Sequence, residues 1–202
     1  MIYGICGYIG SGKDTIGQYL LKKGYVKLSF AGVLKDVLSI MFDWEREIIE
    51  GDTEESREFR NKEDKWWSER LEIDNFTPRR CMQWIGTELF RNNFHKNIWV
   101  FIVEKKIDKL ISEGKNIVIT DARFKEELDL IKKYNGKIIH VKRYKPVWEK
   151  YVLNNEENKL RELGIHESEY RWYIEYKDKF DYIIDNTSSK EELYNKLDNI
   201  QL

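Results

Sequence analysis

Apolar positions along this chain follow two different periods. Short, predominantly apolar runs occur at residues 1–6 ("MIYGIC"), 25–30 ("YVKLSF"), 116–121 ("NIVITD"), 137–143 ("KIIHVKR") and 181–185 ("DYIID"). Runs this short predict strands, and those with little alternation predict strands buried on both faces. Between them the spacing lengthens to that of helices. "DTIGQYLLKKG" carries Ile16, Tyr19 and Leu20 on one face and ends at Gly24, a C-terminal cap signal. "AGVLKDVLSIMF" reads as a second helix. "TPRRCMQWIGTELFRNNF" starts another, with Thr77 as cap and Pro78 in the first turn. Further helices are expected at 98–114, ending at Gly114, and at 124–134. Ser188 with Glu191 suggests a capping box for the last helix. Strands separated by helices predict an α/β fold with a parallel sheet covered on both faces. Two charged stretches do not fit that alternation simply. Residues 43–75, with Trp44, Trp66 and Trp67, read as helical excursions over the surface, and residues 146–177 as charged helices.

Composition narrows the class. The 202 residues are 41% hydrophobic and 35% charged, the balance of a well-solvated globule large enough for a full core. A net charge of −1 argues against a large electrostatic footprint for duplex nucleic acid or an anionic membrane. Cys6 and Cys81 make neither a disulfide framework nor a metal motif, and the three histidines lack metal spacing. No apolar run approaches membrane-spanning length, and the first residues do not read as a signal peptide. The expectation is a cytoplasmic protein without membrane or nucleic-acid partners.

Three segments carry candidate chemistry. "GYIGSGKDT" (residues 7–15) has the G-x-x-x-x-G-K spacing of a phosphate loop, placed between the first strand and first helix. Such a loop turns backbone N–H groups at a helix N-terminus toward anionic oxygens. Gly7, Gly10 and Gly12 allow the tight path, Lys13 supplies a cation, and the hydroxyl arrives one place late as Thr15, after Asp14. In "VITDARF", Asp121 ends a buried strand, where it either partners a magnesium ion on phosphates or caps the helix that follows. Arg123 offers a planar fork for phosphate, or a surface ion pair. In residues 77–91, Arg79, Arg80, Gln83, Thr87 and Arg91 recur at intervals of three or four, so part of the set shares a helix face. That face either reads a phosphate and a base edge or is merely solvated. Trp84 either stacks on a base or fills core, and at helical spacing core is the expectation.

Together these segments resemble, in order along nearly the whole chain, the deoxynucleoside monophosphate kinases of bacteriophages and related large viruses. The resemblance rests on residues 7–15, Lys35 in "FAGVLK", the "MQWIGTELFR" block with "IWV" after it, "ITDARFKEEL", Arg143 and "HESE" at 166–169. It implies a three-layer P-loop NTPase fold and magnesium-dependent transfer of the ATP γ-phosphoryl group to a deoxynucleoside monophosphate. It further implies one kinase domain with an acceptor-binding helical region at about 35–95 and a lid at about 143–170. Gly7, Gly10, Gly12, Lys13 and Thr15 would hold ATP phosphates. Asp14, Thr15 and Asp121 would face the metal, directly or through water. Lys13, Asp14, Asp121, Arg123 and Arg143 would form the reacting centre. Lys35, Arg79, Arg80, Gln83, Trp84, Thr87 and Arg91 would bind the acceptor. "FKEE" departs from the family's more usual "FPNE", leaving Glu127 as the match to its acidic position. Residues 43–75 match no motif. The partners implied are small nucleotides, with the protein a monomer or homodimer. The rival readings are a P-loop kinase for another small acceptor, such as dephospho-coenzyme A, and a nucleotide-binding regulator without turnover.

Overall fold

A computed structural model describes residues 1–200. In chain order the elements are β1 (Ile2–Cys6), α1 (Lys13–Lys22), β2 (Val26–Leu28), α2 (Gly32–Phe42), α3 (Glu54–Asn61), α4 (Lys65–Leu71) and α5 (Pro78–Gln83). A π-helical stretch (Trp84–Phe94) continues α5 directly. Then come α6 (Ile98–Ser112), β3 (Ile117–Ile119), α7 (Lys125–Lys133), β4 (Lys137–Lys142), α8 (Glu149–Leu153) and α9 (Glu157–Glu162). A 3-10 turn (Glu167–Glu169), α10 (Arg171–Tyr176), β5 (Tyr182–Asp185) and α11 (Lys190–Asn199) complete the described chain. Two compact units result: Met1–Phe30 with everything from Ile102 onward, and Ala31–Phe101.

The first unit is built on a five-stranded sheet in the order β2-β3-β1-β4-β5, with every pairing parallel. Each strand matches an apolar run identified in the sequence. β1 is buried along its whole length because β3 and β4 flank it and helices cover it. Ile16, Tyr19 and Leu20 of α1 pack with Ile5, Val118, Ile139 and Val141 in one core cluster, as the helical spacing required. Gly17 lets α1 approach β3 closely: a Cβ there would lie 2.7 Å from Thr120 Cγ2. The parallel register aligns Gly4 with Ile119 and Cys6 with His140, so the segments leaving β1, β3 and β4 emerge on one side, at the C-terminal ends of the strands. Residues 146–177 are helical, as expected, and have a small core of their own, in which Val152, Leu160 and Tyr170 pack with Trp148 and Tyr151.

The second unit is helical. Residues 43–75 do form two short helices, each capped by the side chain that precedes it: Thr53 accepts from Ser56 N, and Asp64 from Trp67 N. They are more than a surface excursion, however. Trp44 is buried, stacks on Phe42 at 4.6 Å and donates its indole N–H to Asp64 Oδ2 at 2.8 Å. Thr77 caps α5 as anticipated, accepting from Arg80 N at 3.2 Å, with Pro78 in the first turn.

Two local expectations are corrected. The cap of α11 is Ser189, whose hydroxyl accepts from Glu192 N at 3.2 Å, one residue beyond the expected Ser188–Glu191 box. The uninterrupted α-helix expected over 77–94 widens after Gln83 into i→i+5 bonding, as in His95 N to Phe90 O at 2.8 Å. Gly86 sits in this stretch. Its carbonyl accepts from Trp99 Nε1 at 2.8 Å, and a Cβ on it would meet Leu34 Cδ2 at 2.6 Å.

Candidate active site

The phosphate loop runs from the end of β1 into the first turn of α1. Gly10 and Gly12 both have positive φ, 75° and 104°, and Gly12 is the N-cap of α1. At Gly12 a side chain is doubly excluded, because a Cβ would also fall 2.3 Å from Asn186 Nδ2. Lys13 opens the helix and folds back on the loop, donating from Nζ to the carbonyls of Gly7 (2.8 Å) and Tyr8 (2.9 Å). An ammonium has three donors, so this arrangement leaves one for a phosphate. Burial, then the nearby Arg123 guanidinium, pushes Lys13 down to about 8, with Asp14 and Glu169 opposing.

Asp14 is exposed in the first turn of α1, where the helix dipole favours a negative charge. The hydroxyl of Thr120 donates to its Oδ1 at 3.4 Å. Because Thr120 directly precedes Asp121, Asp14 and Asp121 flank the same strand end. Asp121 itself ties β2 to β3, accepting from Ser29 Oγ at 2.6 Å and from Phe30 N at 3.1 Å. The helix-cap alternative for Asp121 fails, because that role belongs to Glu127. Buried at 3% exposure, Glu127 accepts from Arg123 N (2.7 Å) and Phe124 N (3.2 Å) at the start of α7.

Arg123 is paired, with Glu169 Oε1 at 3.0 Å and Ser168 O at 3.3 Å, and Glu169 is the main reason its pKa is raised. Arg143 is exposed in the turn after β4. Among the described residues no cluster of three or more His, Cys, Asp or Glu side chains could hold a metal. Magnesium on a nucleotide takes one or two carboxylates together with phosphate oxygens and waters. The all-oxygen set of Asp14, Thr15 and Asp121 fits that mode.

The acceptor candidates lie in the second unit. Lys35 is buried and paired with Glu50, to its carboxylate at 3.0 Å and its carbonyl at 3.1 Å. Glu50 also pairs with Arg46 at 2.6 Å. Along α5 and the π stretch, Arg79 and Gln83 are half-buried and Thr87 and Arg91 buried, whereas Arg80 is exposed and donates to Asp74 O at 2.7 Å. Arg79 donates to Asn61 Oδ1 at 3.4 Å, linking α5 to α3. The expectation that Trp84 fills core is overturned. Trp84 is 54% exposed at the start of the π-helical stretch, whereas Thr87 and Arg91 are buried.

Sequence reasoning missed several supports of the site. Asn186 donates to Ser11 O at 2.8 Å beneath the loop. Tyr144 donates its hydroxyl to Ile9 O, with its ring 3.5 Å from where a Cβ on Gly10 would be. Thr120 and Glu169 act as described above. "HESE" was the one available hint, and only for Glu169.

A parallel sheet with a glycine loop and lysine between its first strand and first helix is the fold of the P-loop kinases. Dephospho-CoA kinase from Campylobacter jejuni superposes with a TM-score of 0.55 at 17% identity, covering 99% of this chain and 95% of that one. At that identity the likeness speaks for the fold alone. The family description deoxynucleotide monophosphate kinase matches residues 45–197. A provisionally named deoxynucleotide monophosphate kinase of Acanthamoeba polyphaga mimivirus is 32% identical over 153 residues, 71% of this chain and 74% of that protein. The deoxynucleoside-5'-monophosphate kinase of Escherichia phage T5 is 39% identical over 75 residues, 37% of this chain but 27% of that longer protein. The chain belongs to the deoxynucleotide monophosphate kinase family.

Proposed function

We propose that this chain transfers the γ-phosphoryl group of ATP to a deoxynucleoside 5′-monophosphate, giving ADP and the deoxynucleoside diphosphate. The observation that carries this reading is the family match over residues 45–197 in a chain whose glycine-rich residues 7–12 lead from β1 into α1. The loop N–H groups and Lys13 cradle the ATP phosphates. Asp14, Thr15 and Asp121 would hold magnesium, which when bound neutralises phosphate charge during transfer. Lys35, Arg79, Arg80, Gln83, Trp84, Thr87 and Arg91 form the acceptor side, within the helical region at about 35–95.

The acceptor phosphate has a second pKa near 6 and is mostly a dianion at neutral pH. It needs no general base. Asp14 and Asp121 therefore organise charge and do not abstract a proton. The barrier lies in bringing two anions together, and Lys13, Arg123 and Arg143 are the protein's neutralisers. The segment at about 143–170 serves as a lid that excludes water from ATP. Small nucleotides are its partners, and no helix among the described residues is long and apolar enough to cross a membrane. A reduced, ATP-rich compartment such as the cytoplasm suits the activity and the two buried free cysteines. The test is ADP release across dAMP, dGMP, dCMP, dTMP and dephospho-coenzyme A. Turnover with one or more deoxynucleotides supports the reading; turnover with dephospho-coenzyme A alone, or ATP binding with none, overturns it.

A further inference from the structure

We propose that Glu169 is a positioning residue that aims the Arg123 guanidinium at the reacting phosphate, an inference that rests on the kinase reading above. Arg123 is held at both ends by carboxylates. Glu127 fixes its backbone, accepting from Arg123 N at 2.7 Å, and Glu169 takes Nη1 at 3.0 Å. Nη1 also donates to Ser168 O at 3.3 Å. Neither Nε nor Nη2 hydrogen-bonds to protein among the described residues, so the other donors of the fork remain available for a phosphate oxygen.

The guanidinium needs such a holder. After burial, Arg123 is the largest influence lowering the pKa of Lys13, so the two cations share one small region and repel each other. Lys13 is tied to the carbonyls of Gly7 and Tyr8, so with a neutral residue at 169 that repulsion would move the arginine. Glu169 is itself rigid. Its side chain is 15% exposed, its carbonyl accepts from Trp172 Nε1 at 3.0 Å, and the next residue, Tyr170, belongs to the small core of the lid. The lid thus contributes a carboxylate to the arginine, and lid order and arginine aim become one variable.

The test is a double-mutant cycle in the full chain, with saturating ATP and a deoxynucleotide that the wild type accepts. Glu169→Gln should lower kcat by on the order of 10- to 100-fold while the KM for ATP moves less than about 3-fold, and Glu169→Asp should recover part of the loss. In an Arg123→Ala background the same Glu169→Gln change should cost less than about 3-fold more, because its target is gone. Thermal melts establish that the variants are folded. If Glu169→Gln does not fold, the Glu169→Asp step in the two backgrounds decides by the same criterion. Wild-type kcat in Glu169→Gln, or an equal loss with and without Arg123, overturns the inference. A wild type inactive on every deoxynucleotide overturns it together with the kinase reading, whereas an active wild type with additive losses overturns this inference alone.

Discussion

The Nδ2 of Asn186 donates to the carbonyl of Ser11 at 2.8 Å, joining the turn after β5 to the phosphate loop across 175 residues of sequence. The same amide sits where a side chain on Gly12 would have to go. The loop's shape is therefore set by a partner that no local motif contains. Replacing Asn186 with Ala leaves a buried carbonyl unpaired, at a cost of about 1–3 kcal/mol. The expected result is a KM for ATP raised roughly 5- to 100-fold with the acceptor KM unchanged. Steady-state titration of both substrates checks it. Equal changes in both constants would show that Asn186 does not act through the loop.

Gly12→Ala should be worse. It combines a φ of 104° with a Cβ only 2.3 Å from Asn186 Nδ2. Strain of this kind costs on the order of 1–3 kcal/mol before the overlap is added. Isothermal titration should find ATP binding weakened at least tenfold in a variant that still melts cooperatively.

Trp84 separates a recognition role from a packing one. Because Trp84 is 54% exposed, Trp84→Ala should change stability by no more than about 0.5 kcal/mol. If the ring stacks on the acceptor base, that contact contributes about 1–3 kcal/mol, and the acceptor KM should rise roughly 5- to 100-fold. Gln83→Ala should change the order of preference among bases, with ATP affinity unaltered. An unchanged acceptor KM in both variants would remove them from the site.

His140 gives the first unit an acid limit. It is buried at 3% exposure beside Trp172, Tyr173 and Phe180, and burial, with Lys142 adding to it, lowers its pKa from 6.5 to about 4. Between those values the unfolded chain binds the proton and the folded chain does not. Stability is therefore lost as pH falls from 6.5 towards 4, by about 3 kcal/mol from this group. His140→Phe keeps the aromatic packing and should flatten that part of the denaturation profile. A profile that still parallels wild type across the window would assign the acid sensitivity elsewhere.

Much of this was legible in the sequence, and the limits are physical. β1 and β3 are buried along their whole length, so their runs carry no charged residue, and in β4 the buried stretch Ile138–Val141 is interrupted only by His140. The phosphate loop is contiguous, so its residues appear side by side. Gln83, Thr87 and Arg91 follow one helix face, but how deep each lies was not visible. Trp84 was misjudged because the helix changes period at its position, a change that the apolar spacing does not announce. Asn186, Thr120 and Glu169 act through tertiary contacts that no spacing encodes. The start of α11 was missed by one residue because two adjacent serines are equivalent in pattern, and only geometry chooses Ser189.

The central claim is phosphoryl transfer to a deoxynucleotide that depends on Lys13. The most direct measurement is ADP release by wild type and Lys13→Ala across the four deoxynucleoside monophosphates, with folding of both confirmed by melting. The account predicts turnover by the wild type with at least one of them and a loss on the order of 10² or more in a folded Lys13→Ala variant. Near-normal turnover in that folded variant, or none by the wild type with any of the four, would contradict it.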